Sequence, residues 1–226
     1  MVTRHEFLAM LHEHLEPRGY LEIGVFQGDS LKLVQPGTPA IGIDPMPILH
    51  GHFPGTTQVY RMTSDEFFGD PEIWIDQSNV KIDLAFIDGM HLYEYALRDF
   101  MNVEKYANPH TVVVFDDVLP RNQEEAAREQ CPGDWTGDVW KVIGILQTLR
   151  VDLEVVSVNT QPTGTCVVYN LDPSSIRLQE MYNQIIGWNL DQFNEVPEDV
   201  LKRTKAVAPK EALEGILEYY RGLEDR

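Results

Sequence analysis

The chain is short of positive charge. Its 226 residues include 18 lysines and arginines against 36 aspartates and glutamates, which gives a formal net charge of −18. Binding to nucleic-acid phosphates or to an anionic membrane surface needs a basic face, so neither partner is expected. A local cluster of carboxylates is still compatible with a bound cation.

Cysteines and long apolar runs are also scarce. Cys131 and Cys166 are the only cysteines and lack metal-site spacing, so we expect reduced thiols and a cytoplasmic location. The opening sequence MVTRHEFLAMLHEHLEPRG has no apolar segment typical of a secretory signal. No stretch approaches the ~18 apolar residues of a membrane-spanning helix.

Short strand-like runs alternate with helical patterns along most of the chain. This alternation is typical of a parallel sheet with helices on both faces. The last two runs, DLEVVSV and GTCVVYN, are joined by a short turn. We therefore expect a Rossmann-like, doubly wound α/β sheet of about seven strands, mostly parallel with an antiparallel edge strand. The prediction is one domain, with an N-terminal helix over 1–17, the sheet core over 18–170 and C-terminal helices over 171–226.

A glycine-rich turn follows the first strand, in YLEIGVFQGDS. Gly24 and Gly28 would let a ligand approach the backbone, and the following helix start offers free N–H groups. The spacing fits neither the dinucleotide fingerprint nor the phosphate loop. Glu22 would suit the ammonium, and Ser30 the carboxylate, of a ligand that carries both groups. The alternative is a turn that only joins a strand to a helix.

The second strand ends on Asp44. A carboxylate at this place can accept hydrogen bonds from both hydroxyls of a ribose. The alternative is a solvated acid at a strand end. Taken with the glycine turn, Asp44 predicts a nucleoside-type ligand across the carboxyl edge of the sheet.

Three more acids end the next two strands. Asp88 ends the fourth strand, and Asp116 and Asp117 end the fifth. Neighbouring strands bring such acids to one edge, where a divalent cation would relieve their repulsion. Oxygen ligands favour Mg²⁺ over Zn²⁺. The alternative is a set of separate exposed acids, with Asp117 capping the next segment.

His91 comes three residues after Asp88. An imidazole beside a bound cation can remove a proton from a hydroxyl that the cation has acidified. The alternative is a histidine at a helix start that faces water. Further along, GDVWKV places Asp138, Trp140 and Lys141 at the start of another helix, either as substrate contacts or as part of an ordinary buried helix.

The segments YLEIGVFQGDS, IGIDP, FIDGMHLYEYALRD and VVVFDD together resemble the class I S-adenosylmethionine (SAM)-dependent methyltransferases. More narrowly, they are similar to Mg²⁺-dependent O-methyltransferases of macrolide and antibiotic sugars. The resemblance covers roughly residues 18–170. It implies SAM and Mg²⁺ (or Mn²⁺) as cofactors, with Asp88, Asp116 and Asp117 as metal ligands. The cofactor-binding residues it implies are Glu22, Gly24, Gly28, Ser30, Asp44, Ser64, Asp65 and Asp88.

The resemblance also implies an activity. The expected reaction is methyl transfer to a hydroxyl of a small molecule, with His91 as the base and a sugar or glycoside as acceptor. His91 stands where catechol-type relatives carry lysine, which favours an aliphatic hydroxyl over a catechol or phenol. Three alternatives remain: a phenolic O-methyltransferase, a metal-dependent hydroxylase-like or hydrolytic protein, and a non-catalytic nucleoside-binding subunit. A homodimer is expected from the resemblance.

Overall fold

The computed structural model describes residues 1–54, 56–73, 80–192 and 195–224, with the side chains of 188–192 left out. The sequence pattern also predicts a helical segment over 71–78; it lies largely outside these residues, and only 71–73 are described there as helical.

A seven-stranded sheet forms the centre of the molecule, in the order β3-β2-β1-β4-β5-β7-β6. Short apolar runs rich in valine and isoleucine make up its buried strands, as expected where helices cover both faces. The strands are β1 (Tyr20–Ile23), β2 (Ala40–Ile43), β3 (Thr57–Tyr60), β4 (Leu84–Ile87), β5 (Val112–Phe115), β6 (Glu154–Val158) and β7 (Thr165–Tyr169).

Strands β1 to β5 are parallel, and β7 runs antiparallel to both β5 and β6. The predicted α/β sheet with antiparallel pairing at one edge is therefore confirmed. The reversal has a simple cause, because the turn between β6 and β7 is too short for a crossover. The reversed strand is β7, which lies between β5 and the edge strand β6.

Helices cover both faces of the sheet, and a short 3-10 turn (Leu31–Leu33) stands where the sequence predicts a helix after β1. The predicted helix over 137–149 begins at Lys141, after a turn through Gly137 with φ +55°. The helices are α1 (Arg4–Leu15), α2 (Ser64–Gly69), α3 (Tyr93–Glu104), α4 (Lys141–Leu149), α5 (Arg177–Gln192), α6 (Glu198–Leu201) and α7 (Pro209–Glu224).

The core has two layers because successive strand residues point to opposite faces. Leu21, Ile23 and Phe115 lie in the layer covered by α3, α4 and α5. The opposite layer includes Phe86 and is covered by α1 and by α7, which buries Leu213 and Ile216. The C-terminal helices thus pack on the sheet of their own chain.

Across the part of the chain that the structure describes, no helix combines the length and the apolar character needed to span a bilayer.

Candidate functional site

The carboxyl ends of four parallel strands lie side by side. Ile23 pairs in register with Ile43 and with Ile87, and Ile87 pairs with Phe115. The residues that follow these four positions are Gly24, Asp44, Asp88 and Asp116, so they meet at one edge of the sheet. This is the edge at which open α/β sheets bind ligands.

Gly24 makes the first turn possible. It has φ +88°, and a Cβ atom there would lie 1.9 Å from the carbonyl oxygen of Asp88. Its N–H donates to the carbonyl of Ile43 over 2.9 Å. Only glycine fits this close approach of two backbones. At Gly28 (φ +76°) a Cβ atom would lie 2.5 Å from the ring of Phe53, so the loop after β2 packs onto this turn.

Glu22 and Ser30 are both buried and contact each other. Ser30 Oγ donates to Glu22 Oε1 over 2.8 Å, and the hydroxyl of Tyr20 donates to Oε2 over 2.7 Å. Burial raises the pKa of Glu22 to about 8, and these two hydrogen bonds oppose the shift only in part. Both oxygens of Glu22 already have partners inside the protein. Its predicted contact with a ligand ammonium stays a prediction.

Asp44 organises the loops around it through backbone groups. Its Oδ2 accepts from the N–H of Phe26 over 2.8 Å, and its Oδ1 accepts from the N–H of Met46 over 2.7 Å. A carboxylate has about four lone-pair positions, so two remain for ribose hydroxyls. The side chains of Phe26 and Met46 are 61% and 80% exposed. The carboxylate of Asp44 therefore lies between two exposed residues, where a ribose could reach it.

Ser64 and Asp65 form the first turn of α2 and face α3. Asp65 pairs with Arg98 over 2.6 Å. Ser64 donates to Asp99, whose pKa is raised to about 7 by burial despite this hydrogen bond. Asp99 is a buried acid beside Ser64, one of the predicted cofactor-binding residues. The sequence analysis missed it because it falls in the middle of an amphipathic helix.

Asp88, His91 and Asp117 form a cluster suited to a cation. One ligand atom from each lies within 4.8 Å of the others, among the residues the structure describes. His91 Nε2 is 3.4 Å from Asp88 Oδ1, and His91 Nδ1 is 3.2 Å from Asp117 Oδ2. The structure therefore brings together two of the three predicted acids and the predicted base.

The two acids after β5 have different surroundings. Asp117 has φ +59°, and its Oδ1 accepts from the hydroxyl of Thr163 over 2.5 Å. Burial and the charge of Asp88 raise its pKa to about 6, while His91 lowers it. Asp116 lies outside the cluster, with its Oδ2 2.8 Å from Nη1 of Arg4. Burial, with the charges of Asp117 and Asp88, raises the pKa of Asp116 well above its usual value.

His91 is held by the long loop after β5. Its Nδ1 lies 2.7 Å from the carbonyl oxygen of Trp135, and the Trp135 ring stacks on it at a centroid distance of 5.2 Å. A carbonyl only accepts, so Nδ1 carries the proton in this contact and Nε2 faces Asp88. Burial lowers the pKa of His91, but the hydrogen bond to Asp88 and the charge of Asp117 outweigh it and raise the pKa to about 9.

Asp138, Trp140 and Lys141 lie inside the protein. Asp138 Oδ1 accepts from the N–H of Tyr93, and its Oδ2 accepts from Arg128 over 2.6 Å and from Lys141 over 3.0 Å. Trp140 is 7% exposed. Trp140 and Lys141 also line a cavity of about 720 Å³ between α4, β6 and α6. None of the three cluster residues lines this cavity, so the structure does not bring Trp140 and Lys141 to the cluster.

Three residues at the site were missed by the sequence analysis. Arg4 lies in the N-terminal helix, Thr163 in the β6–β7 turn and Trp135 in the loop after β5. Each is distant in the sequence from the site residue that it contacts, and no motif links them. For Trp135 a signal did exist, because long loops inside compact domains often carry function.

The chain is similar to known methyltransferases in sequence and in fold. Residues 21–118 match a family model described as "Methyltransferase domain". A protein of Acanthamoeba polyphaga mimivirus, "Uncharacterized protein R132", is 33% identical over 116 residues, or 43% of this chain and 50% of that protein. This chain thus aligns with only half the length of that relative.

Solved structures give the same fold at low identity. An O-methyltransferase from Bacillus cereus in complex with SAH has a TM-score of 0.54 and 14% identity, over 75% of this chain and 80% of that one. The O-methyltransferase TomG from Streptomyces achromogenes, in complex with SAM, has a TM-score of 0.51 and 18% identity, over 74% of this chain and 78% of that one. Residues 21–118 are therefore similar to the methyltransferase domain family, and the Rossmann-like sheet is the fold that the chain shares with these O-methyltransferase structures.

Proposed function

We propose that the protein transfers a methyl group from SAM to a hydroxyl of a small molecule and uses a divalent cation to do so. The observation that carries the proposal is the cluster of Asp88, His91 and Asp117 at the carboxyl edge of a methyltransferase-domain sheet. The two O-methyltransferases described above share this fold, and one was solved with SAM and the other with SAH.

The residues at the end of β1 and β2 fit the cofactor. The turn at Gly24 exposes backbone, and Asp44 keeps acceptor positions for the ribose. When bound there, SAM would supply an activated methyl group on a sulfonium. Ser64 and Asp65 would border the adenine, and Glu22 would act within the protein by fixing the hydroxyl of Ser30.

The donor set of the cluster fits a hard divalent ion such as Mg²⁺ or Mn²⁺. Two carboxylates lie within mutual ligand distance, with His91 beside them, and carboxylate oxygens suit either ion. A cation there would polarise the acceptor hydroxyl and stabilise the developing alkoxide. The acids would otherwise repel each other across a partly buried edge.

In this proposal His91 is the base. The carbonyl of Trp135 holds the proton on Nδ1, so Nε2 is the nitrogen that faces the acidic edge and can accept a proton from the hydroxyl. The negative charges of Asp88 and Asp117 favour the protonated ring, and a bound cation offsets them. Alignment of oxygen, methyl carbon and sulfur would provide much of the remaining rate.

The acceptor is proposed to be a sugar or glycoside. The support is the histidine at position 91, where catechol-type relatives carry lysine. A phenolic acceptor is the alternative within the same reaction class. The protein is proposed to act as a homodimer in the cytoplasm, with residues 1–226 as one domain.

The test combines binding and turnover. Transfer of labelled methyl from SAM is measured on matched panels of sugars and catechols, with Mg²⁺, with Mn²⁺ and with EDTA. We expect transfer to sugars that EDTA abolishes, and Asp88→Asn should remove it while Asp134→Asn, an exposed loop acid paired with Arg121, should not. Full activity in EDTA would contradict the metal, and transfer to catechols alone would contradict the acceptor.

A second measurement tests whether His91 acts as the base or as a metal ligand. In His91→Ala, calorimetry with Mn²⁺ should show binding close to that of the unaltered protein, while turnover falls by about 10²–10⁴-fold. His14→Ala, on the exposed side of α1, is the matched control. Loss of Mn²⁺ binding in His91→Ala would make His91 a ligand and would leave another group to take the proton.

A further inference from the structure

Arg4 lies against Asp116, the more deeply buried of the two acids that follow β5. Its Nη1 is 2.8 Å from Oδ2 of Asp116, and the two side chains are 31% and 1% exposed. Neither oxygen of Asp116 has a well-formed hydrogen bond within the described part of the chain. A buried carboxylate needs a compensating charge, and Arg4 provides one.

The backbone of Arg4 is fixed by the same turn that holds Asp117. Its N–H donates to the carbonyl of Gln161 over 3.1 Å, and the N–H of Gln161 donates to the carbonyl of Val2 over 2.9 Å. Two residues further along, Thr163 donates to Asp117. One turn therefore positions the guanidinium of Arg4 beside Asp116 and the hydroxyl of Thr163 beside Asp117.

This arrangement divides the acids into two groups. Asp88 and Asp117 share a cluster with His91, whereas Asp116 is directed to Arg4. Resting on the function proposed above, we infer that Arg4 is a positioning residue that withholds Asp116 from the cation. The divalent cation is then bound by Asp88 and Asp117, next to His91, and not by Asp116.

The charges support this division. With His91 neutral beside the cation, three carboxylates carry a charge of −3 and a divalent cation with Arg4 brings +3, so the occupied edge is neutral when Arg4 is present. Without Arg4, Asp116 has lost the cation that pairs with it. A unit charge removed from beside a partly buried divalent site changes its affinity by a factor of about ten or more.

The test is a double-mutant cycle read by Mn²⁺ calorimetry at pH 8 on the full chain. Arg4→Gln should bind Mn²⁺ at least about tenfold more tightly. Asp116→Asn should bind it more weakly, because the charge of Arg4 is then unbalanced. The double variant removes a neutral pair and should return to within about threefold of the unaltered protein.

The double variant decides the question. If Asp116 is a ligand, the double variant loses Mn²⁺ binding while the unaltered protein binds, and this result would overturn the inference. If the unaltered protein itself binds no Mn²⁺, the proposed metal site fails, and the inference with it. Thermal unfolding without metal reports whether each variant is folded.

Two further variants serve as controls. Arg4→Lys keeps the charge and should bind Mn²⁺ like the unaltered protein. Arg18→Gln removes an arginine that pairs with Asp83 over 2.6 Å, ahead of the amino end of β4, and should leave Mn²⁺ affinity unchanged. A change in Arg18→Gln as large as that in Arg4→Gln would mean that net charge alone sets the affinity, which also contradicts the inference.

Discussion

The hydroxyl of Thr163 donates to Oδ1 of Asp117 over 2.5 Å, which joins the β6–β7 turn to the acidic edge of the sheet. Both residues are buried, and Asp117 has the left-handed backbone conformation. A side chain outside the cluster thus fixes the direction of a carboxylate inside it. Such supporting contacts commonly tune metal affinity.

Thr163→Val should weaken Mn²⁺ binding by about 10- to 100-fold, because Asp117 loses the donor that orients it. The side chain keeps its shape, so the fold should be retained. Thr160→Val is the matched control, since Thr160 is equally buried and its hydroxyl contacts only Thr165 among the side chains described. Equal affinities in the two variants would show that this contact does not orient a ligand.

Gly24→Ala should destabilise the protein more than Gly37→Ala does. The two glycines have φ +88° and +95°, so the backbone cost of a side chain is similar. A Cβ atom at Gly24 meets the carbonyl of Asp88, while nothing lies within 4 Å at Gly37. Overpacking should add about 1–3 kcal/mol at Gly24, measured by urea unfolding. Similar losses in both variants would contradict the close approach.

His12 should make the protein sensitive to acid. It is 0% exposed, and burial lowers its pKa to about 4. The unfolded chain, with an ordinary value near 6.5, binds more protons between these two pH values, so stability falls as the pH drops from 6.5 toward 4. The loss due to His12 at pH 5, relative to pH 8, should be about 2 kcal/mol.

Urea unfolding of His12→Leu at pH 8 and pH 5 checks this prediction. The stability difference between the two pH values should shrink by about 2 kcal/mol in this variant. The same measurement on His14→Leu, which changes an exposed histidine in the same helix, should leave the difference as it is. An unaltered pH difference in His12→Leu would show that His12 titrates normally.

Asp138→Ala should cost about 3–5 kcal/mol of stability, because the N–H of Tyr93 and the side chains of Arg128 and Lys141 all lose the buried carboxylate that accepts from them. The measurement is urea unfolding in the absence of substrate. Asp152→Ala is the control: Asp152 is half exposed, and its partner Arg150 also pairs with Glu104. If Asp138→Ala keeps its stability and only raises KM, Asp138 contacts substrate instead.

Much of the fold followed from local patterns. Buried strands and amphipathic helices are set by which residues are apolar and at what spacing, so the mostly parallel α/β sheet and the edge that gathers Asp44, Asp88 and Asp116 were predictable. The turn at Gly24 was predictable too. The boundaries were less so: the helix expected after β1 is one 3-10 turn, and α4 starts at Lys141.

The site depended on contacts between distant segments. The sequence by itself determined that acids would collect at one edge, because the carboxyl ends of parallel strands lie together. Only the tertiary structure decided which acid faces which partner, because Arg4, Trp135 and Thr163 reach the edge from segments far apart in the chain. It also buried Trp140 and Lys141, because the start of α4 packs inside the protein, where Asp138 accepts a hydrogen bond from Lys141.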